Sequence, residues 1–436
     1  MIPLDAPGSP PQFLQTHSLL FDLWTILILV GPIMGTFFPP ETYFGLEGGF
    51  MWAILLVISV PALGIGAYQM AKQRNYTHCP LAYAYVVVVI VSTSWAGDPG
   101  YSFLRALRLL PLVSYAVIFA NAYRMKDFLR LLTIASLVSA LASYFVIIFM
   151  PALALSTLGG PYEHAMRGAL IQKNAAGFCY ANGMFFAAFA VVMGAVPRYL
   201  AAITAILCFG LLVLASSMTP VVSLVISAMI GLAVLFLTTL NRGQALLNAV
   251  TLIMLTTTAL LVAINFPDGL AKLIGRDLTL TGRTQIWQAV IVLIKLNPFK
   301  GYGYAFWSFD SPQHEFMVRS VGTTMAYAHN SWLDLWLQTG FLGILSIALL
   351  TLASLSRAVK ILKAHRGEGV LLLSFMLSLL IHSLAETQYN EPGIAGVPWL
   401  VWGATIAMVI LRRARQKGEP QARYAWSSAA GDLAPA

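Results

Sequence analysis

Long apolar segments separated by short polar connections run along almost the whole chain. Segments of about 17–25 mostly apolar residues are long enough to cross the hydrocarbon core of a bilayer as helices. The chain contains about twelve of them, at residues 19–38, 49–71, 80–96, 104–123, 128–150, 174–196, 199–216, 220–239, 245–266, 332–356, 369–386 and 394–411. The pattern therefore predicts an all-α polytopic membrane protein with about twelve transmembrane helices.

One long polar stretch interrupts this pattern between the ninth and tenth apolar segments. The predicted order is a tail at 1–18, helices 1–9 over 19–266, a large loop at 267–331, helices 10–12 over 332–411 and a basic tail at 412–436. Within the loop, apolar residues recur at helical spacing from Thr281 to about Leu296. That segment is too short to span a bilayer, so we expect a short interfacial helix there. Long loops in compact proteins are usually functional or disordered, which makes this loop the first candidate for chemistry.

Composition supports a membrane protein and excludes several other classes. The chain is 58% hydrophobic and 10% charged, with a mean hydropathy of +0.77. The net charge of +9 does not indicate a nucleic-acid partner, because no basic domain with interleaved aromatic residues is present. Cys79, Cys179 and Cys208 fall within or at the edges of apolar segments, which predicts no disulfide framework. A secondary transporter is the more distant alternative, although no inverted repeat or broken charged span supports it.

The distribution of Lys and Arg predicts the orientation of the chain. With a cytoplasmic N-terminus, 16 of the 26 cations fall in or beside the inner connections. Cytoplasmic loops carry such an excess of Lys and Arg in multi-pass proteins. The 267–331 loop is therefore predicted to face away from the cytoplasm. The remaining ten cations are Arg105, Arg108, Arg167, Lys173, Lys272, Arg276, Arg283, Lys295, Lys300 and Arg319.

Six of these outward cations form three clusters that are candidates for binding an anion. In the first, Asp98 and Pro99 are a suitable N-cap and first helical residue, and Arg105 and Arg108 then share one helix face. The alternative for this pair is Arg side chains that snorkel to the membrane interface.

The other two clusters place cations at predicted helix starts. In the second, Asn174 is expected to cap the sixth span beside Lys173 and near Arg167. In the third, Arg276 precedes Arg283, which lies in the first turn of the predicted loop helix. The helix dipole disfavours cations at these positions, whereas a bound anion stabilises them.

His329 is the candidate general base. It comes two residues before Ser331, and Ser331-x-x-Asp334 predicts a capping box at the start of the tenth span. The positive end of the helix dipole disfavours an imidazolium there and favours the neutral ring that a general base requires. Further along, His382 and Glu386 are four residues apart on one helix face. They are either a buried polar pair or, with Asn330, part of a path for the acceptor.

Several sequence patterns that would indicate other chemistries are missing. Asp310, His314 and Glu315 are too few and too scattered to predict a metal site. The chain has no Asp-x-Asp, no Walker A loop and no His-Glu-x-x-His. The sequence therefore predicts neither a metal nor a cofactor, and it disfavours a cytoplasmic nucleotide as donor.

A series of motifs resembles the bacterial O-antigen ligase and polymerase superfamily. In chain order they are Arg167-Gly168, Lys173-Asn174-x-x-Gly177, Thr281-Gly282-Arg283-x-x-x-Trp287, Asn297-Pro298-x-x-Gly301-Tyr302-Gly303, His329-Asn330-x-x-Leu333 and Gly340-x-x-Gly343. The similarity is densest over about 160–345, and the stretch at 276–283 is most similar to the exopolysaccharide-production branch of the Wzy-type polymerases. Each motif alone is weak, but their order around one loop is fairly specific.

The resemblance implies an inverting, metal-independent glycosyltransferase of the bacterial inner membrane. It implies a donor linked to undecaprenyl diphosphate, used at the periplasmic face, with His329 as base and Arg283 as a diphosphate ligand. The second Arg stays open between Arg167 and Arg276, while Lys173 and Arg105 are further candidates. We expect a polymerase, with a ligase that uses a lipid A-core acceptor as the alternative. Membrane lipids and a chain-length regulator or flippase are the expected partners.

The predicted orientation can be tested by cysteine labelling in intact cells. A cysteine introduced at Ser311 should react with an impermeant thiol reagent, whereas one at Gln421 should react only after permeabilisation. The unsubstituted chain is the background control, since its three cysteines lie in or beside apolar segments. Labelling of Ser311 only after permeabilisation would show that the topology is inverted.

Overall fold

The computed structural model describes residues 19–30, 61, 64, 77–155, 165–170, 173–237, 283–323, 325, 327–389 and 396–416. Within these ranges the chain is helical, and the only β feature is an isolated bridge between Leu155 and Met166. The predicted all-α class is therefore confirmed for the described part of the chain.

The helices follow the predicted apolar segments closely. Before the long polar loop they are α1 (Leu19–Val30), α2 (Pro80–Ser92), α3 (Pro99–Leu107), α4 (Leu109–Ala122), α5 (Met125–Phe149), α6 (Lys173–Val192), α7 (Arg198–Ala215) and α8 (Met218–Leu237). From the loop onward they are α9 (Arg283–Leu296), α10 (Pro312–Val321), α11 (Ser331–Ala364), α12 (Arg366–Ser383) and α13 (Val397–Gln416). The predicted segment 245–266 lies outside the described residues, as does 49–71 apart from Pro61 and Gly64.

Six helices in the described ranges are long and apolar enough to cross a membrane. They are Pro99–Ala122, which combines α3 and α4, Met125–Phe149, Lys173–Val192, Arg198–Ala215, Ser331–Leu362 and Arg366–Ser383. Shorter apolar helices cover Phe21–Val30, Pro80–Trp95 and Thr219–Gly231. The predicted total of about twelve spans stays a prediction, because two of the predicted segments fall largely outside the described residues.

The outward faces of these helices are apolar, as a lipid environment requires. Val192 is 77% exposed, Ile206 70% and Ile148 65%. Polar side chains such as Ser143, Thr204 and Ser227 are buried instead, and they donate to carbonyl groups one turn earlier in their own helices. This distribution of apolar side chains outside and satisfied polar groups inside fits a bundle that lies in hydrocarbon.

α11 is broken at Gly340, which the span prediction at 332–356 did not anticipate. Gly340 has φ 67° and ψ −161°, a conformation that is essentially restricted to glycine. A Cβ atom there would lie 2.1 Å from the carbonyl oxygen of Phe299. The break divides α11 into a short arm, residues 331–339, and a long arm, residues 341–364. At 1.5 Å per residue the long arm measures about 36 Å, which is sufficient to cross a bilayer core of about 30 Å.

Helix packing brings several helix ends together at one end of the bundle. α6 packs between α5 and α7 and also contacts α8, while α8 packs against α12. α11 packs against α2, α12 and α13, and α9 packs against α10 and α11. Because α6 and α7 are antiparallel neighbours, as are α11 and α12, the starts of α6 and α11 meet the ends of α7 and α12. The candidate site lies among these ends.

Candidate active site

A buried carboxylate joins the sequence-predicted residues. Glu386 lies in the turn that follows α12, and its side chain is only 5% exposed. Its Oε1 accepts from Arg283 Nη2 at 2.5 Å and from Asn174 Nδ2 at 2.8 Å. Its Oε2 lies 3.2 Å from His329 Nδ1. We call Asn174, Arg283, His329 and Glu386 the Glu386 cluster.

Arg283 reaches this cluster from the first turn of α9. Its guanidinium is 12% exposed, and Nη1 donates to the carbonyl oxygen of Ala385 while Nη2 donates to Glu386. The sequence predicted that an anion stabilises Arg283 at the helix start, and in the structure Glu386 supplies a negative charge there. Binding of a substrate diphosphate by Arg283 stays a prediction.

The backbone at His329 turns sharply so that its ring meets Glu386. His329 has φ 51°, a left-handed conformation that is uncommon for a residue other than glycine. Such strain costs about 1–3 kcal/mol and is concentrated at functional sites. The ring is 27% exposed and packs edge-on against Tyr327, with centroids 4.5 Å apart. Part of the imidazole thus remains accessible.

Asn330 caps α11, which corrects the prediction of a Ser331-x-x-Asp334 capping box. Asn330 Oδ1 accepts from the backbone N–H groups of Trp332 at 3.0 Å and Leu333 at 3.1 Å. Asp334 accepts instead from the indole N–H of Trp307. An Asn at the N-cap position is at least as favourable as a Ser, so α11 begins at Ser331 rather than after it.

Asn330 and Ser331 also fasten the turn that carries Glu386. Asn330 Nδ2 donates to the carbonyl oxygen of Leu384 at 2.9 Å, and Ser331 Oγ donates to that of Glu386 at 2.7 Å. The N–H of Gln388 donates back to Ser331 Oγ at 2.7 Å. These bonds fix the start of α11 against the turn at the end of α12. An additional role of Asn330 in a path for the acceptor stays a prediction.

Asn174 does not cap α6 as predicted. It lies inside α6, which already includes Lys173, and its side chain bridges two other elements. Its Nδ2 donates to Glu386, and its Oδ1 accepts from Ser217 Oγ at 3.0 Å. Lys173 beside it is buried, with 7% exposure. The bridge ties the starts of α6 and α8 to the cluster.

The other predicted cations lie elsewhere or outside the described residues. Arg167 Nε donates to the carbonyl oxygen of Leu153 at 2.9 Å, in the short helix Pro151–Ala154. Arg105 Nη1 donates to Ser308 Oγ at 3.1 Å, in the loop after α9. Arg276 lies outside the described residues. Arg283 is the predicted cation that contacts Glu386, the carboxylate that His329 also contacts.

His382 belongs to the buried layer beneath the cluster. The side chain is 2% exposed, and its Nδ1 lies 2.6 Å from Gln388 Nε2. Its ring packs on Phe178 with centroids 4.5 Å apart. The interpretation of His382 and Glu386 as buried polar groups agrees with this placement, and a place in an acceptor path stays a prediction for both.

The cluster keeps Glu386 ionised. Burial raises the pKa of the Glu386 carboxyl, but the hydrogen bond with His329 and the positive charge of Arg283 together outweigh burial and hold the pKa below its usual value of 4.5. At neutral pH the cluster therefore contains a buried carboxylate that interacts with a guanidinium and an imidazole.

The described residues contain no group of three or more metal-ligating side chains. Asp310 Oδ1 lies 3.9 Å from His314 Nδ1, and Glu315 pairs with Arg319 one turn further along α10.

Two comparisons with known proteins support the family resemblance. Residues 203–348 match the family model described as O-antigen ligase, Wzy_C, a range that includes Arg283 and His329. The chain is also 25% identical over 353 residues to the exopolysaccharide production protein ExoQ of Rhizobium meliloti strain 1021. That alignment covers 78% of this chain and 79% of the relative. These similarities confirm the predicted resemblance to the O-antigen ligase and polymerase superfamily.

Part of the candidate site was not predicted from the sequence. Glu386 and Asn174 were noted, but neither was placed with Arg283 and His329, and Ser217 was missed. Residues 174, 217 and 386 all lie outside the 267–331 loop. Asn174 and Glu386 also lie outside the range 203–348 that the family model matches. Two sequence signals existed: Asn174 forms part of the Lys173-Asn174-x-x-Gly177 motif, and Glu386 lies four residues after His382.

The pKa of Glu386 predicts how stability depends on pH. Because its pKa is lowered on folding, Glu386 stabilises the protein above pH 4.5 and loses this effect as pH falls through the lower folded value. Glu386→Gln should therefore unfold at a lower temperature than wild type at pH 7, with a cost of roughly 3–5 kcal/mol for breaking a buried pair. The difference should shrink progressively below about pH 4.5.

Thermal unfolding of detergent-solubilised protein between pH 3 and 7 measures this difference. Glu315→Gln is the matched control, because its pair with Arg319 is exposed and such pairs contribute little. A pH-independent difference for Glu386→Gln would contradict a stabilising carboxylate at this position.

Proposed function

We propose that the protein is a glycosyltransferase that polymerises undecaprenyl-diphosphate-linked oligosaccharide units into a surface polysaccharide. The observation that supports this most directly is the contact of His329 with a buried carboxylate that also binds Arg283. It brings a candidate base and a candidate ligand for a diphosphate leaving group together in one place. The proposed location is the periplasmic face of the inner membrane.

In the proposed mechanism His329 removes the proton of the acceptor hydroxyl. Donation from Nδ1–H to Glu386 Oε2 fixes the tautomer that leaves the Nε2 lone pair available. When Nε2 takes the proton, the Glu386 carboxylate stabilises the resulting imidazolium. The exposed part of the ring then returns the proton to water. Glu386 is thus a positioning residue, and His329 is the catalytic base.

The acceptor oxygen forms a bond to the anomeric carbon as the bond from that carbon to the diphosphate oxygen breaks. The diphosphate leaves with the bonding electrons, and attack from the opposite face inverts the configuration. Arg283 can stabilise the departing diphosphate, because a guanidinium has five N–H donors. The described bonds of Arg283 use one donor each of Nη1 and Nη2, so other N–H groups remain for the diphosphate. A diphosphate needs charge stabilisation rather than a general acid, so a second carboxylate of the glycosidase kind is not required.

The alternative is a ligase that transfers the completed glycan to lipid A-core. The description of the matched family model, O-antigen ligase, favours it, whereas the name of the relative, exopolysaccharide production protein, favours a polymerase. The described cations other than Arg283 are consistent with a second lipid-diphosphate substrate, as a polymerase requires. A chain-length regulator or a flippase is the expected protein partner in either case.

Replacing the base tests the mechanism. His329→Ala should reduce transfer by purified protein by about 10²–10⁴-fold, the usual contribution of a general base. His365→Ala is the matched control, because His365 follows the opposite end of α11 from His329. Glycan transfer is measured with a fluorescently labelled lipid-diphosphate oligosaccharide. Near wild-type turnover by His329→Ala would refute the assigned role.

The polymerase is distinguished from the ligase by the substrates needed for chain growth. Given only the lipid-diphosphate repeat unit, the purified protein should form a ladder of longer products on a gel. The ladder should persist with EDTA, because the mechanism uses Arg283 in place of a metal. A single product that forms only when lipid A-core is added would overturn the polymerase in favour of the ligase.

A further inference from the structure

A second recess lies at the opposite end of α9 from the Glu386 cluster. It has a volume of about 260 Å³ and is lined by residues from two separate parts of the chain, among them Trp95, Asn297, Lys300, Tyr302, Phe309 and Gln313. Arg283 begins α9 and Asn297 directly follows it, so the recess and the cluster are about 20 Å apart along this helix.

Close backbone contacts make the wall of this recess rigid. Gly301 packs against the α11 break, where a Cβ would lie 2.7 Å from the N atom of Gly340. Gly303 packs against Ala96, where a Cβ would lie 2.4 Å from Cα. Between these glycines, the N–H of Tyr302 donates to the carbonyl oxygen of Leu337 at 2.8 Å. The recess is therefore preformed, which lowers the entropic cost of binding.

The side chains of the recess combine aromatic faces with amides. Trp95, Tyr302 and Phe309 present rings, and Gln313 is a half-buried amide. Asn297 donates to the carbonyl oxygen of Gly301 at 2.6 Å, which leaves its Oδ1 as an acceptor. The indole N–H of Trp95 is also buried with no acceptor in the described part of the chain. Buried polar groups of this kind are normally hydrogen-bonded, so a polar ligand is indicated.

A carbohydrate matches this lining better than a phosphate does. Sugar rings expose C–H groups that pack on the negative face of an aromatic ring, and their hydroxyl groups both donate to and accept from amides. The cation of the recess, Lys300, lies over the Trp95 ring with Nζ 5.0 Å from the centroid. Its charge is partly satisfied there by a cation–π interaction.

We propose that this recess binds sugar residues of the glycan several units away from the reacting end. The inference rests on the proposed glycan transfer and adds a subsite that the Glu386 cluster does not provide. Several linked sugars, and no single one, bridge a distance of about 20 Å along α9. A longer glycan that occupies both places should therefore bind more tightly than a single repeat unit.

Binding of lipid-free glycan to the full-length protein tests the subsite without turnover. The probes are oligosaccharides of one to four repeat units, released by mild acid from the surface polysaccharide of the native host, and binding is measured by isothermal titration. Affinity should rise with length for wild type. The double variant Trp95→Phe/Gln313→Ala should bind the longest probe about tenfold more weakly, because it loses two polar groups but keeps an aromatic ring.

A matched variant controls for substitution on α9 itself. Gln288→Ala, at an exposed glutamine on α9, should bind the longest probe like wild type. Unchanged binding by the double variant would overturn the subsite. A lack of binding by wild type, or full displacement of the glycan by inorganic diphosphate, would also overturn it. If the double variant loses binding but wild type transfers no glycan, the glycosyltransferase function is refuted and the glycan subsite is still supported.

Discussion

The buried carboxylate of Glu386 is the interaction on which the arrangement of this end of the bundle depends. It connects Asn174, Arg283 and His329, which come from three other parts of the chain. The Glu386 side chain is 5% exposed, and a carboxylate this buried is stable as an anion only when it is paired and hydrogen-bonded. Removal of one partner leaves the other partner's charge buried and unpaired. The starts of α6, α9 and α11 are consequently fixed relative to the turn after α12, and none of them can shift alone without breaking a bond to Glu386.

The same bonds that fix the helices also determine the proposed chemistry. His329 uses Nδ1 toward Glu386, so only Nε2 can face an acceptor. Arg283 uses Nη1 and Nη2 within the protein, so a diphosphate must bind through its other N–H groups or replace the bond to Glu386. Pairing in the protein therefore positions the guanidinium but weakens its attraction for substrate. The sequence predicted that an anion stabilises Arg283 at the helix start, and in the structure Glu386 is an anion in contact with it.

Local sequence signals predicted the helices well, whereas contacts between distant segments were beyond them. Apolar periodicity predicted α9 from Thr281 to about Leu296, and Asp98 with Pro99 correctly predicted the start of α3, where Asp98 accepts from the N–H of Tyr101. The break at Gly340 was missed because it depends on the backbone of Phe299, about forty residues earlier in the chain. Glu386 was missed as the centre of the site for the same reason, since hydrophobic periodicity describes which face of a helix is buried and not which side chain it meets.

The short arm of α11 is the element that connects the two candidate sites. At its start, Asn330 and Ser331 hold the turn that carries Glu386. At its end, the side-chain oxygen of Gln338 accepts from the N–H of Ala305 at 2.8 Å. The backbone carbonyl oxygen of Gln338 accepts from the N–H of Gly303 at 2.9 Å. Since Gly340 separates this arm from the long arm, its orientation is set by these loop contacts rather than by continuation of a transmembrane helix. A glycan bound against the Gly301–Gly303 segment would therefore contact the loop that holds the short arm in place. Recognition of the glycan and placement of the base would then depend on one rigid support.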